Sequence, residues 1–195
     1  MQRLKTARAR ENRRKIFEAA INLFETHGFD QVTMDEIAKA AGVARSSVFN
    51  HYPSKMDILA EFFAHFTATV IEAARQTKRR TFSGRLNALF EAAGAIAKKH
   101  RRVLSAIASL AVGHGPLAAT ESEADQQLMD YLTTLVERAQ AAEEIRDDVK
   151  AVFLANLILA LMTATLHDWV NGAFTRELGA ELSARFDILM SGAAA

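Results

Sequence analysis

The chain has 195 residues, half of them apolar and 24% charged, with a formal net charge of +1 and no cysteine. That length can bury a sizeable core, and the missing thiol excludes disulfides, zinc-thiolate sites, iron–sulfur clusters and cysteine nucleophiles. Two prolines and nine glycines leave little punctuation, and β-branched clusters are scarce, so an all-helical fold is expected.

The small net charge hides an uneven distribution. Residues 1–55 carry ten Lys/Arg against six Asp/Glu, and residues 56–195 carry fourteen against seventeen. A basic head on a slightly acidic body suits a polyanionic partner. It suits equally well a solvated terminus in which Arg3, Lys5, Arg8, Arg10, Arg13, Arg14 and Lys15 simply face water. Met1 to Lys15 is basic and is not followed by a short apolar core with a cleavage site, so no signal peptide is expected. The longest apolar run, Ala151 to Leu166, is interrupted by Asn156 and falls short of the ~20 residues of a bilayer span. It reads as a buried helix, with no membrane partner and a cytoplasmic location expected.

In chain order, Ile16, Ala19, Ala20, Leu23 and Phe24 make the stripe of a first helix, closed by Gly28. Thr33 with Glu36 reads as a capping box opening a short helix to Ala41. Gly42-Val43 turns the chain into a second short helix through Tyr52, where Pro53 stops it and Ser54 is placed to cap the next. From Lys55, the residues Ile58, Leu59, Phe62, Phe63, Phe66 and Val70 form a long apolar face. Ser83 is placed to cap a helix with Leu86, Leu89, Phe90, Ala93 and Ile96. A shorter helix carries Val103, Leu104, Ile107 and Leu110 and ends at Gly113-His114-Gly115-Pro116. Thr120 with Glu123 forms a second capping box before Leu128, Leu132, Leu135 and Val136. Two last helices, over about 148–171 and 176–191, are separated at Gly172, which makes about nine helices with no internal repeat. A small N-terminal domain, 1–55, and a helical body, 56–195, are expected.

The informative stretch is Thr33 to Lys55, TMDEIAKAAGVARSSVFNHYPSK. Two short helices joined by a glycine turn make a helix-turn-helix, whose second helix can lie in a DNA major groove. Ile37, Ala41, Val43 and Val48 can form its small core, and Ala38 is small where the helices approach. The outward side then shows Arg45, Ser46, Ser47, Asn50 and His51, all able to hydrogen-bond and none acidic.

Leu23-Phe24, Gly28-Phe29, Thr33, Ile37-Ala38, Ala41-Gly42-Val43, Phe49-Asn50-His51-Tyr52 and Ser54-Lys55 stand in the register of the tetracycline-repressor (TetR) family of transcriptional regulators. The resemblance covers about residues 10–65. It implies an N-terminal three-helix head on a helical body that binds an effector and dimerises. It implies that Thr33, Ser47, His51 and Lys55 hold phosphates, aided by free amides at the helix starts near Thr33 and Ser54. Arg45 would read a guanine through O6 and N7, Ser46 a base edge and Phe49 a thymine methyl. The stretch Ala44–Tyr52 would enter the groove, which adds Asn50 and Tyr52 to the DNA-facing set. Phe49 replaces the family's usual tyrosine, and Ala44 stands where a capping Ser or Thr is common.

Phe62, Phe63, Phe66, Leu104, Ile107, Met129, Leu132, Phe153, Leu157 and Met162 read first as core. The resemblance implies that some of them line a cavity for a small, largely hydrophobic effector. It also implies a homodimer on a near-palindromic duplex operator, with the stripe Leu178, Leu182, Phe186 and Leu189 in the subunit interface. The six histidines show no ligand spacing, so no metal or cofactor is expected. No nucleophile elbow or phosphate-binding turn is present, which argues against an enzyme. A helical protein using the same head for a protein partner is the alternative from another class.

Overall fold

The computed structural model describes residues 2–112, 123–173 and 175–191, with side chains over 7–109, 123–173 and 175–191. Among the described residues there are nine α-helices and no strand. They are α1 (Gln2–His27), α2 (Met34–Ala41), α3 (Arg45–His51), α4 (Lys55–Gln76), α5 (Phe82–Lys99), α6 (Arg101–Val112), α7 (Glu123–Ala141), α8 (Ala151–Val170) and α9 (Leu178–Ser191). The Gly113–Pro116 turn, Thr120 of the expected second capping box and the Ala193–Ala195 tail lie outside the described residues.

The helices gather into two compact units. The first comprises residues 1–62 and 100–107, the second residues 63–99 and 108–195. In the first, α1 buries Ile16, Ala20, Ile21 and Phe24 against Ile37 and Ala38 of α2 and Val48 of α3. Ile58 and Leu59 of α4, with Val103 and Leu104 of α6, are buried in the same unit. The start of α6 is held by Glu25, whose carboxylate accepts the Arg102 and Val103 N–H groups at 3.1 and 3.2 Å.

In the second unit α5 and α9 cross at two glycines. A Cβ on Gly94 would lie 2.8 Å from the Gly179 nitrogen, and one on Gly179 would lie 2.7 Å from the Phe90 carbonyl oxygen. No larger residue fits there without parting the helices. Beside that crossing, Phe186 of α9 meets Phe90 and Phe82 edge-on, with ring centroids 5.8 and 6.0 Å away. Thr81 caps α5 in place of the expected Ser83. Its Oγ1 accepts the Gly84 N–H at 3.2 Å, while Glu144 accepts the Phe82 N–H at 2.6 Å. Arg185 of α9 donates to Asp168 at 3.1 Å and to Thr165 at 3.3 Å, joining α9 to α8.

Two expectations are corrected here. Leu178, Leu182 and Phe186 are buried by this chain's own α5, so they are core and not a surface awaiting a partner. Conversely, α8 is not a buried helix. It is long and apolar enough to cross a membrane by length and composition alone, yet only 17% of its most apolar window is buried. Val152, Phe153 and Leu157 on α8 are 48, 57 and 41% exposed, and Ile188, Leu189 and Met190 at the end of α9 are exposed too.

Phe186→Ala should therefore act as a core deletion. It should lower the unfolding free energy by ~3–5 kcal/mol in urea titrations. Below the unfolding transition it should leave the particle mass by light scattering unchanged.

Candidate nucleic-acid interface

The helix-turn-helix is built by local rules that the sequence spells out. Thr33 Oγ1 accepts the Glu36 N–H at 3.2 Å, and Glu36 accepts the Thr33 N–H at 2.7 Å, a reciprocal capping box. At the other end of α2, Gly42 takes φ +66°, where a side chain is strained, and its N–H closes on the Ala38 and Lys39 carbonyls. α3 starts at Ala44 with no side-chain cap, as its sequence foretells, and stops where Tyr52 turns extended before Pro53.

α3 exposes Arg45, Ser46, Phe49 and Asn50, while Ser47 and His51 are half-buried. These side chains share the solvent side of one seven-residue helix and include no acid. Arg45 is held across the turn. Its Nε lies 2.9 Å from Asp35 Oδ1 of α2, and its guanidinium lies over the Phe49 ring at 5.5 Å. Both partners of that ion pair are more than half exposed, so the pair is weak. A guanine or a phosphate can replace the carboxylate. Asp35 was not among the residues singled out in the sequence, and no sequence signal tied it to Arg45 across the turn.

Three phosphate-facing assignments change in detail. The Thr33 hydroxyl donates to Glu36 at 2.8 Å, so its proton is spent inside the capping box. What remains for a phosphate there is the first turn of amides of α2. Lys55 Nζ donates to the Phe29 carbonyl at 2.8 Å and sits 4.6 Å from the centre of that ring. An ammonium has three donors, and two are left for a phosphate. At the start of α4, the Ser54 N–H and hydroxyl both donate to Asp57, at 2.8 and 2.7 Å.

Tyr52 is a correction. It is 1% exposed and sits behind α3, so it cannot touch DNA without the helix unpacking. Its hydroxyl donates to Glu61 at 3.0 Å, and Arg13 closes on the same carboxylate while lying 4.6 Å over the Tyr52 ring. Burial first, and the bond to Glu61 second, push the phenol far above its ordinary pKa. Arg13 also donates to the His51 carbonyl at 3.3 Å. The basic N-terminal stretch is thus partly neutralised: Arg13 pairs with Glu61, Arg14 with Glu11 and Glu18, and Lys15 reaches Glu11 at 3.8 Å. Arg8 and Arg10 are exposed.

The second unit holds a pocket of about 650 Å³ formed by α4, α5 and α7. None of the ten apolar residues expected to surround an effector lines it. Phe62, Leu104 and Ile107 are buried in the first unit, and Phe66, Leu132 and Met162 are buried in the second. Phe63 and Met129 are half-buried, whereas Phe153 and Leu157 face solvent. The side chains that do line the pocket include Arg75, Arg85, Tyr131 and Arg138. In the sequence these arginines look like the solvated face of amphipathic helices, since periodicity does not say which polar residues face inward.

Residues 16–62 match the model of the bacterial regulatory proteins of the tetR family. The chain is 38% identical over 64 residues to the HTH-type transcriptional regulator TtgW of Pseudomonas putida, a match over 33% of this chain and 48% of that one. It therefore spans about half the length of that curated relative. With the HTH-type transcriptional repressor BepR of Brucella suis it shares 26% identity over 175 residues, covering 85% and 84% of the two chains. Among solved structures it is similar to Thermus thermophilus FadR, a TetR-family transcriptional repressor in complex with lauroyl-CoA. The TM-score is 0.76 at 25% identity, over 94% and 95% of the chains.

Two outcomes follow. Asp35→Asn should raise duplex DNA affinity ~2–5-fold by freeing Arg45, and the gain should largely vanish in an Arg45→Ala background, read by a double-mutant cycle in fluorescence anisotropy. Glu36 is held below its ordinary pKa of 4.5 by the Thr33 N–H and hydroxyl. Its capping contribution is thus complete above that ordinary value and is lost as pH falls through the lower, folded one. Glu36→Gln should therefore lose less stability than the parent protein when melts are run below about pH 4.5.

Proposed function

We propose that the chain is a member of the tetR family of bacterial regulatory proteins and a cytoplasmic DNA-binding transcriptional repressor, not an enzyme. It works as a homodimer on a near-palindromic duplex operator and is released by a small effector. The observation that carries this reading is the solvent row of α3, Arg45, Ser46, Phe49 and Asn50, presented without an acidic side chain behind a capped α2 and a tight glycine turn.

In this reading each head, residues 1–55, lays α3 in the major groove. Arg45 leaves Asp35 for the O6 and N7 of a guanine, Ser46 reads a base edge, and Phe49 presses a thymine methyl. Ser47, His51, Lys55 and the first amides of α2 hold phosphates and set the register. Asn50 faces the same groove. The body, residues 56–195, dimerises and takes the effector. The exposed apolar residues of α8, Val152, Phe153 and Leu157, with Ile188, Leu189 and Met190 of α9, support a second copy as their cover. A two-fold interface made from them pairs two helices of each subunit. The lauroyl-CoA held by the Thermus thermophilus FadR repressor supports an effector with a long apolar portion. Effector binding then favours a head spacing that no longer fits the operator, a coupling of ~1–3 kcal/mol in typical cases.

Selection of bound genomic fragments identifies the operator, and titrations on operator and scrambled duplexes test the assignment of roles. Arg45→Ala should cost ~1–3 kcal/mol per half-site on the operator and less on scrambled DNA. Equal losses on both duplexes would make Arg45 a phosphate contact. No salt-dependent duplex binding by the parent protein would remove the function altogether. For the dimer, Phe153→Asp with Leu157→Asp should halve the mass by light scattering and abolish operator binding. A parent protein that is monomeric at micromolar concentration refutes the interface.

A further inference from the structure

Three guanidiniums meet at the 650 Å³ pocket of the second unit: Arg75 of α4, Arg85 of α5 and Arg138 of α7. Among the described residues none of them lies within 4.0 Å of an Asp or Glu oxygen. Arg75 lies over the Tyr131 ring at 5.6 Å, and Arg85 donates to the Ala74 carbonyl at 3.4 Å. The Tyr131 hydroxyl is shut off from solvent and has no hydrogen-bond partner. Burial raises its pKa, and the charges of Arg85, Arg75 and Arg138, with Arg85 also in reach of the hydroxyl, oppose that rise.

Arg13, Arg14, Arg45, Arg79, Arg146 and Arg185 each contact a carboxylate. Arg75 and Arg138 are exposed and Arg85 is half-buried, so an anion arriving from solvent can reach all three beside the buried hydroxyl. Arginine's planar fork matches a carboxylate or phosphate. The same pocket has an apolar wall from Ile71 and Leu135, and its volume lies within the ~300–1,000 Å³ of small-molecule sites.

We infer that this pocket binds the anionic head of an amphipathic small molecule, with Arg75, Arg85 and Arg138 as counter-charges and the Tyr131 hydroxyl as donor. Glu72 and Asp130 also border the pocket and bring its formal charge down to that of one unpaired arginine. That balance favours a singly charged carboxylate over a doubly charged phosphate monoester. The consequence at DNA rests on the effector-responsive reading above, while the binding itself rests on the pocket alone.

Calorimetric titration of the full chain with dodecanoate, dodecyl phosphate, dodecanol and inorganic phosphate tests this. Dodecanoate should bind at least ~10-fold more tightly than dodecanol, the value of one charge-assisted hydrogen bond. Arg138→Gln and Arg75→Gln should each remove about that factor for dodecanoate and leave dodecanol binding unchanged. Ligand-free melts establish that each variant is folded, and two variants guard against the loss of one. Tyr131→Phe should weaken dodecanoate by a smaller factor. Dodecyl phosphate binding more tightly than dodecanoate would support the anion site and change its head to phosphate. Dodecanol matching dodecanoate, inorganic phosphate matching it, or parent-like affinity in both arginine variants would overturn the inference. Dodecanoate binding that leaves operator affinity untouched would uphold the pocket and refute the effector reading instead.

Discussion

Behind α3 the Tyr52 hydroxyl donates to Glu61 of α4, and Arg13 of α1 clasps the same carboxylate while covering the Tyr52 ring. α3 has seven residues and no side-chain cap at its start. A helix that short is unstable in isolation and holds its direction only by packing. Val48 anchors its middle and Tyr52 its end, both essentially fully buried. The aim of Arg45, Ser46, Phe49 and Asn50 therefore depends on an ion pair and a phenol that touch none of them. Arg13 sits in a stretch whose basic charge looks like a polyanion contact, yet its guanidinium is spent on fixing α3 from behind.

The second unit treats its apolar surface in two ways. At the α5–α9 crossing, Gly94 and Gly179 let two backbones come close enough for Phe186 to seat between Phe82 and Phe90. Dispersion over such tight packing is large in sum although each contact is small. On α8 the apolar residues instead remain exposed, with Phe153 at 57%. Among the described residues no element covers them.

The pocket of α4, α5 and α7 departs from an oil-like cavity. Its lining sets three guanidiniums and a phenol beside the apolar side chains of Ile71 and Leu135. α4 runs from Lys55, beside the head, to Gln76, one residue beyond Arg75. One helix thus carries both Lys55 and a pocket guanidinium.

The sequence by itself determined every feature that depends on neighbours in the chain. The Thr33–Glu36 box, the Gly42 turn, the uncapped start at Ala44 and the stop at Pro53 are set within a few residues. The helical layout follows from periodicity, which records which positions are apolar. Periodicity does not record what covers them. Leu178, Leu182 and Phe186 carry the same pattern as an interface stripe, and only the approach of α5 makes them core. Phe153 and Leu157 carry the pattern of a core or a cavity wall, yet no element among the described residues covers them. Tyr52, Asp35 and the three pocket arginines likewise took their roles from residues distant in sequence. Burial and ion pairing are properties of what folds back onto a residue, so tertiary structure alone could assign them.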